Sequence, residues 1–166
     1  MKKILLLVAF MVSAAFVANA QSFGSESRYV GLGLGVGGGY GIPVSAFYEQ
    51  AVHEHVGVGA TIAYAGTSEG NWNYSNLLIG VRANYHFLEH IETGTNWDTY
   101  GGVILGYNIV SASWDGTGIQ TDSASASELI FGVQIGARYC FNSSWAAFGE
   151  IGYGIGVLTV GATYSF

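Results

Sequence analysis

Five charged residues stand among small and polar side chains in otherwise alternating segments: Glu49, Arg82, Glu128, Arg138 and Glu150. Carboxylates and guanidiniums gathered this way form ion pairs, or line a path for protons or ions. The four histidines are His53, His55, His86 and His90. His53 and His55 flank Glu54, which gives imidazole and carboxylate ligands for a weak metal site. Asp115 and Asp122 share the longest polar stretch. Two such carboxylates could take a hard cation, but their spacing matches no calcium loop. Gly33-Leu34-Gly35-Val36-Gly37-Gly38 fits G-x-G-x-x-G. Nucleotide binding by that motif needs a strand leading into a helix, and no helical pattern follows. Cys140 is the only cysteine, so it is expected to be a free thiol. No catalytic, metal-binding or cofactor-binding residue is assigned, and no cofactor is expected.

The composition narrows the chemistry further. Of 166 residues, 26 are Gly and only 10% are charged. Average domains carry about 25% charge and about 7% Gly. Disordered chains are charged and poor in aromatics. This chain is 14% aromatic, so disorder is excluded. Five Lys+Arg against eleven Asp+Glu leave no basic footprint for nucleic acid.

Residues 1–20 read as an address. Met1-Lys2-Lys3 is basic, residues 4–12 are apolar, and Ala18-Asn19-Ala20 offers small residues to a signal peptidase. Cleavage is expected between Ala20 and Gln21, leaving one domain over 21–166. That chain keeps Arg28, Arg82 and Arg138 and all eleven acids, a net charge of 3 − 11 = −8.

The remainder has no apolar run near the ~18 residues of a membrane helix. It alternates instead, with the period of strands. Leu158, Val160, Ala162, Tyr164 and Phe166 share one face. Leu77, Ile79, Val81, Ala83, Tyr85 and Phe87 oppose Gly80, Arg82, Asn84 and His86. Leu129, Phe131, Val133 and Ile135 oppose Glu128, Gly132, Gln134 and Gly136. Eight such segments occur, those at 44–51 and 145–152 being less regular. A soluble sandwich would carry many charges on its polar face. Here that face is glycine, threonine, serine and a few charges, which suits a narrow interior. The large apolar face then points outward, as in transmembrane barrels. The expected fold is all-β, an eight-stranded antiparallel up-and-down barrel. External loops are expected at 37–42, 66–73, 113–126 and 153–156. Periplasmic turns are expected at 52–55, 88–96 and 142–144. The five charges named first would form a paired network across the lumen, because buried charge must be matched.

Three stretches resemble the small outer-membrane barrels of the OmpX and OmpA-barrel type, the "outer membrane protein beta-barrel domain" group. The chain ends in Tyr164-Ser165-Phe166, similar to a terminal-aromatic signal for barrel assembly. Residues 97–108 look like a fifth strand of that family, and 47–60 like its second and third. The resemblance spans nearly all of 28–166. It implies a monomer in outer-membrane lipid and lipopolysaccharide, delivered by periplasmic chaperones and the barrel-assembly machinery. It implies a non-enzymatic, structural or surface-exposed role. A small pore for ions or hydrophobic solutes is the alternative. Enzymes acting on lipid A also resemble this barrel in size, but their external Ser–His–acid set has no histidine here.

Overall fold

The computed structural model describes residues 23–37, 39, 41–87, 96–115, 124–153 and 156–166. The expected signal peptide and its Ala20–Gln21 junction lie outside these residues, as do His90 and Asp122. Eight strands run in order: β1 (Arg28–Val36), β2 (Val44–His53), β3 (Val56–Glu69), β4 (Trp72–His86), β5 (Trp97–Trp114), β6 (Ala124–Cys140), β7 (Trp145–Gly152) and β8 (Leu158–Ser165). Each pairs antiparallel with the next, and β1 closes on β8 through pairs such as Val30–Tyr164. The fold is therefore a closed up-and-down barrel with no unpaired edge around its belt.

Side-chain period two divides the wall. On β1 the even-numbered residues are exposed and the odd ones buried. Leu32, Leu129 and Phe131 are each more than 60% exposed. Glu49, Asp98 and Arg138 are wholly buried. A water-soluble protein rarely exposes an apolar surface that is continuous around its wall. Aromatic pairs mark both ends of this surface. Trp97 packs edge-on against Tyr139 and Trp145 against Tyr164 at the end holding the termini of the barrel, where β1 begins and β8 finishes, with ring centroids 5.0 and 5.1 Å apart. Trp72 meets Trp114 at 5.1 Å at the opposite end.

Several strands are longer than their apolar pattern predicts. The expected loop at 66–73 is mostly strand, with a tight turn at 70–71 where Gly70 has φ +62°. Likewise β5 reaches Trp114 and β6 begins at Ala124. Residues such as Thr67, Ser68, Ser111 and Ser125 break the apolar period. They still pair, because ladder hydrogen bonds belong to the backbone. The Gly33–Gly38 motif begins within β1 and has no helix after it among the described residues.

Glycine makes the interior fit. Tyr100 lies over Gly136, Glu49 over Gly57 and Leu78 over Gly106. A Cβ on Gly136 would stand 2.6 Å from the Tyr100 ring. Overpacking of this kind costs about 1–3 kcal/mol. Gly136→Ala is therefore expected to lower barrel stability by about that amount, read as a lower urea midpoint in lipid vesicles. An unchanged midpoint would show that Tyr100 can move aside freely.

Candidate functional site: a charged plug in the barrel

The polar interior is assembled by rows that cross three strands with glycine in the middle. Glu49 on β2 stands opposite Gly59 on β3, which stands opposite Arg82 on β4. Because Gly59 has no side chain, Arg82 reaches past it, placing Nε 3.3 Å from Glu49 Oε2. Tyr100, Gly136 and Glu150 form a second row, and Tyr100 Oη donates to Glu150 Oε1 at 2.9 Å. Asn84, Gly102 and Gln134 form a third, in which Gln134 Nε2 donates to Asn84 Oδ1 at 2.8 Å.

These rows join. Arg82 Nη2 donates to Glu150 Oε1 at 2.5 Å, and Asn84 Nδ2 donates to Glu49 Oε2 at 2.5 Å. His86 bridges two carboxylates, with Nδ1 2.7 Å from Asp98 Oδ1 and Nε2 2.9 Å from Glu49 Oε1. Both ring nitrogens face acceptors, the arrangement of an imidazolium that donates twice. A protonated His86 joins Arg82 and Arg138 against Glu49, Asp98 and Glu150, three against three. Arg138 faces Asp98 directly across the β5–β6 ladder, 3.4 Å from Oδ2. Its guanidinium lies 4.0 Å from the Tyr29 ring centroid and 5.3 Å from that of Tyr100. Ring faces attract cations more strongly where water is excluded. Phe23 covers the end of the network, stacked on His86 with centroids 3.5 Å apart.

Of the five charges expected in the lumen, the structure brings Glu49, Arg82 and Glu150 into one cluster and joins Arg138 to it through Asp98. Glu128 does not take part and corrects that expectation. It has the inward parity of Arg138 but is exposed, opposite Asn108. At its height β7 no longer accompanies β6, since among the described residues the last bond between them reaches Val133. Among the described residues nothing buries it there. The network members not assigned from sequence are Asp98, His86, Asn84, Gln134, Tyr100 and Tyr29. The alternation of β5, continued back from Asn108 through Gly102, does reach Tyr100 and Asp98.

Beside the plug, toward the end away from the termini, lies a cavity of about 60 Å³ bordered by Arg82, Gln134, Glu150, Ser45, Thr61 and Thr159. It has room for only a few water-sized molecules. Cys140 is a buried free thiol. His53 and His55 flank the β2–β3 turn with ring centroids 6.4 Å apart. Among the described residues no three His, Cys, Asp or Glu side chains are placed to hold a metal ion. No helix there is long and apolar enough to cross a membrane. Tyr164 and Phe166 stack at 6.4 Å on the outer wall.

No known protein-family profile matches the chain, and no curated protein does. Solved structures do. The N-terminal β-barrel domain of Pseudomonas aeruginosa OprF aligns with 15% identity and TM-score 0.61, covering 86% of this chain and 99% of that one. Ail, the attachment invasion locus protein of Yersinia pestis, aligns with 16% identity and TM-score 0.52, over 86% and 99%. Neisserial surface protein A aligns with 12% identity and TM-score 0.54, over 84% and 91%. The fold is that of the eight-stranded outer-membrane barrels.

Breaking a buried ion pair from one side costs about 3–5 kcal/mol. Arg82→Ala and Arg138→Ala are each expected to lose stability of that order in refolding titrations. Glu128→Ala is expected to change it by less than about 0.5 kcal/mol, as surface substitutions do. Equal midpoints for all three variants would refute this division.

Proposed function

We propose that the protein is an integral outer-membrane β-barrel without enzymatic activity, serving as an envelope component with a surface-exposed end. The observation that carries this reading is a charge-matched plug inside a wall of exposed apolar side chains. Such a wall is stable in hydrocarbon and costly in water. The proposal includes export through cleavage after Ala20 and insertion aided by periplasmic chaperones and the assembly machinery through Tyr164 and Phe166. It also includes life as a monomer among phospholipid and lipopolysaccharide.

The end away from the termini is read as the external one. Its strands β3 to β6 rise above their neighbours. Among the described residues it carries Glu69, Asp115 and Glu128 and no Lys or Arg. Ail has been solved with the heparin analogue sucrose octasulfate. Here the acidic end repels such polyanions, so neutral or cationic partners suit it better. His53, His55 and His86 lie at the other end, so a histidine base for lipid A chemistry has no counterpart there among the described residues.

The test is single-channel recording on the refolded chain in a planar bilayer. Folding is verified first by the gel shift between unboiled and boiled samples. Silence from folded protein is expected, together with an unchanged lipid A mass when the protein is expressed. Steady conductance would overturn the sealed reading in favour of a pore. A changed lipid A mass would overturn the non-enzymatic one.

A further inference from the structure

Two hollows on the outer wall share one residue. The first, about 370 Å³, lies at the end holding the termini and is lined by Ser25, Glu26, Arg28, Gln50, Ala51 and Phe166. The second is an apolar trough of about 620 Å³ over β2 to β5, and Gln50 lines it too. Tyr48 Oη donates to Gln50 Oε1 at 2.8 Å along the β2 edge of the trough. The trough exists because Ala60 and Ala83 are small where the surrounding wall carries valine, leucine and tyrosine. Its rows run Gln50–Val58–Ala83–Val103 and Tyr48–Ala60–Val81–Leu105. Gln50 is three residues from the end of β2, and Val103 six from the start of β5. The trough therefore climbs from the polar hollow toward the middle of the wall.

The charges at its mouth are specific. Arg28 has the outward parity of Val30 and Leu32. Arg82 and Arg138 are buried inside, so Arg28 is the only outward-facing Lys or Arg among the described residues. It forms no ion pair among them. Glu26 borders the same hollow with the opposite charge.

We propose that this continuous surface is a binding site for one zwitterionic glycerophospholipid with a primary ammonium headgroup. The inference rests on the membrane reading given above. Arg28 takes the phosphate through charge-assisted N–H donors. Glu26 accepts hydrogen bonds from the ammonium, which a quaternary headgroup cannot offer. An acyl chain fills the trough over Ala60 and Ala83, completing a wall that side chains leave hollow.

Native mass spectrometry of the folded barrel with equimolar phosphatidylethanolamine, phosphatidylcholine and phosphatidylglycerol tests this. One phosphatidylethanolamine is expected to be retained in preference to the other two. Losing a hydrogen bond to a charged group corresponds to about tenfold in affinity or more. Arg28→Gln, at an exposed position, is expected to weaken retention by about that factor. Glu26→Gln is expected to erase the preference for the primary ammonium, and Ala60→Trp to displace all three lipids. Equal retention of the three lipids by the unaltered chain overturns the site, as does retention unchanged in Arg28→Gln. Failure to give a heat-modifiable form in vesicles would instead overturn the membrane reading on which the site rests.

Discussion

Two buried carboxylates and a largely buried third cannot share a narrow interior unless cations meet them. That constraint organises the barrel. Arg82 serves Glu49 and Glu150, Arg138 serves Asp98, and His86 bridges Asp98 and Glu49. The neutral partners Asn84, Gln134 and Tyr100 take up further lone pairs. None of these contacts is local in sequence. Arg82 and Glu150 are 68 residues apart, and closure of β1 onto β8 is what puts them face to face.

Glycine is the means by which the charges meet. Strand neighbours in a row would normally fill the gap with their own Cβ atoms. With Gly59, Gly102 or Gly136 at the centre, side chains two strands apart come within hydrogen-bond or ion-pair reach. The loss of strand stability at each glycine is offset by contacts that a larger residue would block. The same interior then accommodates aromatic rings, with Phe47 across Gly31 and Tyr100 across Gly136. High glycine content and scarce but buried charge are thus two sides of one packing solution.

The two ends of the barrel have unequal architecture. At the end holding the termini, strands stop close together, aromatics ring the wall, and Phe23 folds over His86. At the other end β3 to β6 continue past the rim in polar, serine-rich ladders. The buried ion pairs thus lie toward one end of the wall, and the polar ladders extend from the other. The outer surface is itself uneven: at Ala60 and Ala83, among valine, leucine and tyrosine, the wall carries a shallow trough.

The sequence by itself determined the alternation, the number of strands and the direction of each face, because side-chain period two is a property of the local backbone. It also marked Glu49, Arg82, Arg138 and Glu150 as inward by parity alone. What parity cannot carry is height. Glu128 and Arg138 occupy equivalent faces of one strand, yet Arg138 is buried and Glu128 is exposed. Polar ladder residues such as Ser68 and Ser125 gave no apolar signal, although their backbones pair as well as any. Asp98 and His86 belong to the plug because β4 and β5 align His86 with Tyr100 and the closed wall turns Glu49 toward both. Register, stagger and closure join residues far apart in the chain, so tertiary structure alone decided which charges meet, which glycines lie between them, and where the outer wall is left hollow.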